Sequence, residues 1–268
     1  MVLRVGLIQM AVGSCKKTNL QNAVKLIKQA SDQGAKLVTL PECFNSPYGT
    51  QFFAEYAENI PGNSSSTIAN AAKENNVHII AGSIPEREGD NLYNTCCIFD
   101  NKGELIDTHR KVHLFDIDIP GKITFKESEV LSAGTKGTMF DVDSVKIGVG
   151  ICYDIRFPEL AWKYRREGAK VLVYPGAFNL TTGAAHWAKL QIARALDNQC
   201  FVMTASPARD MNATYHAWGH SMAVNSWGEI LCEADAGEEV LVVDLDLDSL
   251  EETRKNIPIS KQRMPECY

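Results

Sequence analysis

Short, β-branched apolar runs alternate with amphipathic helical patterns from one end of this 268-residue chain to the other. Such alternation is typical of α/β proteins, in which helices cover the faces of sheets. No repeat, low-complexity tract or linker-like boundary interrupts the pattern, so we predict a single domain over residues 1–268. Periodicity alone does not reveal whether the strands form one sheet or two.

The individual elements follow from the local period of the apolar residues. Predicted helices cover Asn19–Gln33, Ser64–Asn75, Pro158–Glu167, His186–Asn198 and Asp248–Asn256. Predicted strands cover Val2–Met10, Lys36–Leu40, Val77–Ser83, Leu92–Phe99, Glu104–His113, Lys146–Ile151, Val171–Tyr174, Phe201–Ala205, Met222–Asn225, Glu229–Glu233 and Val240–Asp246. Residues 114–138 have only a weak period, and loops of this length inside a domain are usually functional or disordered.

Composition narrows the classes of function. A formal net charge of −6 argues against a nucleic-acid surface, which normally carries a basic stripe. No apolar run approaches the roughly 20 residues that span a bilayer, and Arg4 and Gln9 interrupt the N-terminal apolar stretch, so we expect neither a membrane segment nor a signal peptide. The eight cysteines are scattered and lack a CxxC pair. We therefore expect free thiols in a reducing compartment, the cytoplasm.

Three segments place a reactive side chain at or near the end of a predicted strand: Glu42 in KLVTLPE, Lys111 in ELIDTHRKVH and Cys152 in KIGVGICYD. Sites in open α/β sheets collect at the carboxyl ends of strands. A thiolate that attacks a carbonyl, a carboxylate that moves the proton and an ammonium that stabilises the oxyanion suffice for acyl transfer. Each residue alone is more often structural, and a sequence cannot show that the three converge.

Other motifs give weaker indications. The HRKVH segment at 109–113 lacks the glutamate of a zinc-binding HExxH helix and lies in a predicted strand. The GHSMA segment at 219–223 lacks the final glycine of a serine nucleophile elbow. Neither GxGxxG nor GxxxxGK[ST] occurs, so a nucleotide cofactor has no support. We expect no metal and no organic cofactor.

Three blocks, in the order Glu, Lys, Cys, resemble the nitrilase, or carbon–nitrogen hydrolase, superfamily: LPECFNSPYG, HRKVHLFDIDIPGKITFKES and GVGICYDIRFPE. The resemblance extends through essentially the whole chain, including YPGAFNLTTGAAHW and LQIARALDNQCFVMTASPARD. It is greatest to the ω-amidase branch, on the segments NSPYG, HLFDIDIPGKITF and AFNLTTG. It implies a four-layer α-β-β-α sandwich and a homodimer.

The same resemblance implies a role for each residue of the site. Glu42 is the general base, Lys111 the oxyanion-stabilising amine and Cys152 the nucleophile. Glu127, in FKES, corresponds to an additional active-site carboxylate. The backbone N–H of Tyr153 is the second oxyanion donor. An ω-amidase with these residues hydrolyses the terminal amide of 2-oxoglutaramate or 2-oxosuccinamate to the dicarboxylate and ammonia through a cysteine thioester.

A dicarboxylate monoamide also needs a cation at some distance from the nucleophile. Arg156 is our candidate, because a planar guanidinium binds a carboxylate bidentately; the alternative is a structural ion pair with Asp154 or Glu159. Rival functions are a deaminated-glutathione amidase, a carbamoyl-amide hydrolase, a true nitrilase and a catalytically silent binding protein. Similarity to the branch adds further pocket residues: Tyr48, Phe178 and Thr182.

Overall fold

A computed structural model describes residues 1–267, without the side chain of Pro265, so Tyr268 of the predicted domain lies outside the described residues. The strands are β1 (Val2–Gln9), β2 (Leu37–Thr39), β3 (His78–Ile80), β4 (Ile84–Glu88), β5 (Asn91–Phe99), β6 (Leu105–Arg110), β7 (Asp116–Ile119), β8 (Ile123–Lys126), β9 (Thr138–Val142), β10 (Val145–Val149), β11 (Val171–Pro175), β12 (Phe201–Ala205), β13 (Met222–Val224), β14 (Ile230–Glu233) and β15 (Glu239–Asp246). The α-helices are α1 (Lys16–Asp32), α2 (Thr50–Tyr56), α3 (Asn63–Asn75), α4 (Pro158–Arg166), α5 (Leu180–Asn198), α6 (Leu247–Asn256) and α7 (Ile259–Gln262). Short 3-10 helices cover Glu127–Glu129, Cys152–Arg156 and Pro265–Cys267.

The strands form two large sheets and one hairpin. The first sheet has the order β15-β1-β2-β3-β5-β4, with β6 paired to β5, and the second has the order β14-β13-β12-β11-β10-β9. Strands β1, β2 and β3 are parallel to one another, as are β10, β11 and β12. Each sheet therefore has an edge at which carboxyl ends of parallel strands meet, the usual place for a site in such folds.

Alternating side chains explain why the two sheets and the helices form four layers. Leu7 of β1 belongs to the apolar core shared with Val149 of the second sheet. Its neighbour Ile8 points to the opposite face and packs with Ile27 of α1. Helix α4 covers the other side of the second sheet, where the Tyr164 hydroxyl donates to the Val149 carbonyl at 2.6 Å. The four-layer α-β-β-α sandwich is confirmed.

Several elements were absent from the sequence prediction. The segment 114–138 contains the β7–β8 hairpin, whose strands pair only with each other among the described residues and bury little surface. Its weak hydrophobic period follows from that shallow burial. Helix α2 has seven residues, too few for a helical period to be recognised. Strands β4 and β9 were also missed.

Two predicted boundaries near the site were wrong. Helix α5 begins at Leu180 rather than His186, because the Asn179 side chain caps it by accepting from the Thr182 N–H at 2.9 Å. Strand β6 ends at Arg110, so Lys111 lies just beyond it. Among residues 1–267, no helix combines the length and apolarity needed to cross a membrane.

Candidate active site

Glu42, Lys111 and Cys152 meet between the two sheets, beyond the ends of β2, β6 and β10. The Lys111 Nζ lies 2.9 Å from Glu42 Oε1, which also accepts from Asn94 Nδ2 at 2.8 Å. The backbone N–H of Ala177, beyond the end of β11, donates to Glu42 Oε2 at 2.9 Å and lies 3.4 Å from Cys152 Sγ. Glu42 and Lys111 are fully buried, and Cys152 is 4% exposed. A single amide thus contacts both the carboxylate and the thiol.

Glu127 completes the cluster from the 3-10 helix that follows β8. Its two carboxylate oxygens lie 3.0 and 2.9 Å from Lys111 Nζ. The Tyr48 hydroxyl donates to Oε1 at 2.7 Å, and the Phe115 N–H donates to Oε2 at 2.6 Å. The ammonium is therefore held between two carboxylates, and its position depends on both.

Cys152 occupies a sharp turn between β10 and α4. Its φ of +47° lies in the left-handed region. Two residues earlier, a Cβ at Gly150 would come within 2.7 Å of the Tyr174 ring, so the chain needs glycine there. The backbone N–H of Asp154 donates to the Ile151 carbonyl at 3.0 Å and closes the turn. The turn thereby places the thiol at the end of the strand, beside the cluster.

Burial sets the protonation of these groups. It raises the pKa of the Cys152 thiol well above its ordinary value, and the Glu42 carboxylate raises it further. Burial also raises the pKa of Glu42, an effect that Lys111 partly offsets. For Lys111, burial opposes the charged form, but the Glu127 and Glu42 carboxylates outweigh it and raise the pKa well above the usual value. The site therefore holds a neutral thiol beside a carboxyl group able to take its proton, with a fixed cation next to them.

A cavity of about 310 Å³ borders the cluster on the Glu42 side. Tyr48 and Tyr215 line it, with their ring centroids 4.6 Å apart. Tyr48 also stacks on Phe125 at 5.5 Å. Within the described residues, the lining contains no lysine or arginine. An anionic group of a substrate would therefore need a cation outside this cavity.

Tyr215 was not identified from the sequence. Its hydroxyl donates to the Ala177 carbonyl at 2.5 Å, so it contacts the same residue whose N–H faces Glu42 and Cys152. It belongs to the irregular segment 211–217, which has neither a period nor a known motif. Only the three-dimensional fold brings this segment to the site.

Arg156, at the end of the 3-10 helix that begins with Cys152, is partly buried. Its guanidinium lies 5.6 Å from the centre of the Tyr153 ring and 5.0 Å from that of Phe178. Both terminal nitrogens lie 3.3 Å from His186 Nδ1. Within residues 1–267, no carboxylate forms an ion pair with Arg156, and burial lowers its pKa. This cation is therefore available to an anion from outside the chain.

The proposed structural partners of Arg156 are engaged differently. The Asp154 oxygens accept hydrogen bonds from His109 and His113. Glu159 lies in the first turn of α4, where a carboxylate interacts favourably with the helix dipole. The alternative in which Arg156 is a structural ion-pair partner of these residues is wrong.

The other predicted pocket residues lie on the same flank as Arg156 or in the helix start. The Tyr153 ring packs edge-on against Phe115 at 5.2 Å. Phe178 packs against Trp187 at 5.0 Å. Thr182 is buried in the first turn of α5, where its hydroxyl lies 3.3 Å from the capping Asn179. Tyr48 is the only one of the five predicted binding residues that lines the cavity, in the part of the chain that the structure describes.

Comparisons with known proteins agree with this geometry. Residues 4–255 match the family model described as carbon-nitrogen hydrolase. The chain is 55% identical to an omega-amidase NIT2 of Danio rerio and 53% identical to that of Homo sapiens, each over 99% of this chain and 96% of the relative. Among solved structures, Saccharomyces cerevisiae Nit3, a member of branch 10 of the nitrilase superfamily, superposes with a TM-score of 0.90 at 43% identity, over 98% of this chain and 96% of that chain.

Proposed function

Because the chain belongs to the carbon–nitrogen hydrolase family, we propose that it is an ω-amidase that hydrolyses 2-oxoglutaramate and 2-oxosuccinamate. It is a hydrolase that acts on the carbon–nitrogen bonds of amides. Full-length similarity to relatives named omega-amidase supports the branch. The choice of substrate rests on the chemistry of the site, as follows.

Acylation uses the buried cluster. Glu42 takes the proton of the Cys152 thiol, and the sulfur attacks the amide carbon. Charge develops on the amide oxygen, where the Lys111 ammonium and the Tyr153 N–H stabilise it. The carbon–nitrogen bond then breaks, the proton on Glu42 passes to the departing nitrogen, and ammonia leaves behind a thioester on Cys152.

Deacylation reuses the same base. Glu42 removes a proton from a water molecule, whose oxygen attacks the thioester carbon. The carbon–sulfur bond breaks, and Glu42 returns the proton to Cys152. Glu127 holds Lys111 in place through both steps, because its oxygens lie 3.0 and 2.9 Å from the ammonium. The steps use protein groups and water alone.

Arg156 is the proposed anchor for the carboxylate at the far end of the substrate. Its guanidinium is partly buried, has no acidic partner within residues 1–267, and lies 5.6 and 5.0 Å from the centres of the Tyr153 and Phe178 rings. A carboxylate bound there would be only partly screened by solvent and would accept from two nitrogens at once. An amide with this second charge is the substrate class that such a site favours.

The observation that carries the reaction is the Ala177 amide, which contacts Glu42 at 2.9 Å and Cys152 at 3.4 Å beside a fully buried Lys111. The test is ammonia release from 2-oxoglutaramate, 2-oxosuccinamate, deaminated glutathione, a carbamoyl amide and a nitrile. We expect kcat/KM to be highest for the first two. A higher value for any other member would instead support a deaminated-glutathione amidase, a carbamoyl hydrolase or a nitrilase. Release from none of them would favour a silent binding protein.

The proposal includes a homodimer formed through an apolar face near the C-terminal end of α5. Leu196, Trp227 and Ile257 are 45%, 57% and 44% exposed. Gly228 lies against Leu196, and the Gln199 side chain donates to the Ile257 carbonyl at 2.6 Å, so the three side chains belong to one region. Exposed apolar patches often mark interfaces. Sedimentation equilibrium should give a dimer, and Leu196→Glu should shift it toward monomer.

A cytoplasmic location is also part of the proposal. All eight cysteines are unpaired in the described part of the chain, and most are buried. Free thiols of this kind persist in reducing compartments. Imaging of a tagged full-length chain in cells tests the location directly.

A further inference from the structure

Asp154 is a fully buried carboxylate that takes no part in the steps above. Its Oδ2 accepts from the Ile151 N–H at 2.9 Å and faces His109 Nε2 at 3.0 Å. Its Oδ1 accepts from the His113 N–H at 2.9 Å and faces His113 Nδ1 at 2.7 Å. Both oxygens are therefore fully engaged, and their donors come from two separate segments of the chain.

These two segments carry the reacting groups. Ile151 immediately precedes Cys152, whereas His109 and His113 lie two residues before and two residues after Lys111. The Asp154 carboxylate thus connects the turn of the nucleophile, in the second sheet, to the segment of the cation, in the first sheet. We propose that Asp154 is a positioning residue that sets the location of Cys152 relative to Lys111. This inference rests on the proposed reaction at Cys152.

The hydrogen bonds require a carboxylate rather than any polar side chain of this shape. One oxygen accepts from the Ile151 N–H and the other from the His113 N–H, and a backbone N–H can only donate. Asparagine has the same shape but offers one oxygen and one NH₂. In either orientation its NH₂ faces a backbone N–H, so one donor loses its acceptor. Asp154→Asn therefore breaks the connection on one side without changing the volume of the side chain.

The surroundings of Asp154 keep it ionised. Burial opposes the charged form, but the hydrogen bonds from His109 and His113 outweigh it and lower the pKa of Asp154 well below its usual range. The His113 ring is held in turn by stacking on Phe157, with centroids 3.6 Å apart. The acceptor and its donors are thus both fixed before substrate binds, as a positioning role demands.

The backbone of Lys111 is also held by hydrogen bonds that do not involve Asp154. The Lys111 N–H donates to the Asn94 carbonyl at 2.8 Å, and Gly134 donates to the Lys111 carbonyl at 2.8 Å. These bonds fix the lysine backbone to β5 of the first sheet and to the loop around Gly134, but they do not reach Cys152. In the described residues, Asp154 supplies the side-chain hydrogen bonds that join the two segments, beside the ring contact of His113 with Phe157. Its loss should misplace the thiol while leaving Lys111 with its carboxylates.

The test is Asp154→Asn in the full chain, with hydrolysis of 2-oxoglutaramate and alkylation of Cys152 by iodoacetamide as separate readouts. A misplacement near 1 Å costs about 10²-fold in rate, so kcat should fall about 100-fold while KM changes less than about threefold. The alkylation rate of Cys152 should fall as well, because the thiol is no longer aligned with Glu42. It is followed by the mass of the peptide that contains Cys152, since the exposed thiols of Cys15 and Cys267 also react. Circular dichroism and thermal unfolding establish whether the variant is folded.

Glu86→Gln is the matched control. Glu86 is also a buried carboxylate, and it accepts from Arg110, the neighbour of Lys111, at 2.7 and 2.8 Å. This variant should lower the melting temperature but leave kcat and the alkylation rate unchanged. If it lowers kcat as much as Asp154→Asn does, the effect reflects general destabilisation and the proposal is wrong.

A second variant covers the case in which Asp154→Asn does not fold. His113→Phe keeps the backbone N–H and the stacked ring but removes the Nδ1 contact, and we expect a loss in kcat of about tenfold. If Asp154→Asn folds and leaves both kcat and the alkylation rate unchanged, the positioning role is overturned. If Asp154→Asn does not fold, the same result in His113→Phe overturns it. A different result separates the two proposals. If the wild type hydrolyses no amide but the variant is alkylated more slowly at Cys152, the proposed function is contradicted and the positioning role stands.

Discussion

Replacing Arg156 by methionine tests the origin of substrate choice. Methionine retains much of the apolar length of the side chain and removes the cation. In the free protein the guanidinium contacts His186 at 3.3 Å and two aromatic rings, so no carboxylate of residues 1–267 is left unpaired by the change. The fold should therefore tolerate it, and the effect should appear when a charged substrate binds.

The magnitude follows from the exposure of the group. Truncating one partner of a buried, hydrogen-bonded charge pair costs about 2–5 kcal/mol. Arg156 is only partly buried, so the lower end applies, and about 2 kcal/mol corresponds to a loss of roughly 30-fold in kcat/KM. The assay is ammonia release from 2-oxoglutaramate and, in parallel, from a neutral short-chain amide, which has no carboxylate to lose. We expect the neutral amide to be affected less than about threefold.

Lys189→Met is the control for this experiment. Lys189 lies on α5, one turn after His186, and is exposed. Its replacement by methionine removes the same charge at a position away from Tyr153 and Phe178. It should leave both substrates nearly unchanged. Equal losses on both amides for Arg156→Met would refute the reasoning and reopen the choice among amidase, nitrilase and carbamoyl hydrolase.

Three further predictions concern the reaction itself. Cys152→Ala should abolish hydrolysis, together with the thioester adduct that intact mass shows after acid quench. The control Cys43→Ala, at a buried neighbour of Glu42, should retain activity. If Cys152→Ala keeps a tenth of wild-type turnover, the covalent route is excluded. Glu42→Gln should lower kcat about 10²–10⁴-fold and Lys111→Met about 10²–10³-fold, and a change confined to KM would assign that residue to binding alone. In the pH profile of kcat/KM, the fall on the acidic side should have its midpoint above the ordinary glutamate pKa of 4.5. Burial raises the pKa of Glu42, and the base is lost as the pH falls through this raised pKa. A midpoint at or below 4.5 would contradict the role of Glu42 as the base.

Much of the layered fold could be predicted, because strands buried on two faces leave strong apolar runs. The runs that became β1, β5, β11 and β12 lie within a residue or two of their predicted bounds. Elements that bury little, such as β7 and β8, leave no comparable pattern. The spacing of apolar residues along the chain reflects which side chains are buried. It therefore cannot identify strands that bury little surface.

The site could be predicted only in part, for a related reason. Glu42, Lys111 and Cys152 stood out as reactive groups near strand ends, but their convergence depends on two sheets meeting face to face. Glu127 was found through family resemblance, since its segment has no period. Tyr215 lies in irregular chain and carried no signal at all. Contacts between segments far apart in sequence are a property of the packed fold, which a single sequence does not display.

One buried ammonium between two buried carboxylates also bears on how the reaction ends. The amide group enters the centre uncharged, whereas hydrolysis leaves an anion in its place. That anion forms beside Glu42 and Glu127, with Lys111 alone to offset them, where charges are weakly screened. Repulsion between like charges destabilises the bound product relative to the bound substrate. We therefore expect weak product inhibition, so that the carboxylates which organise the attack also speed the departure of the acid.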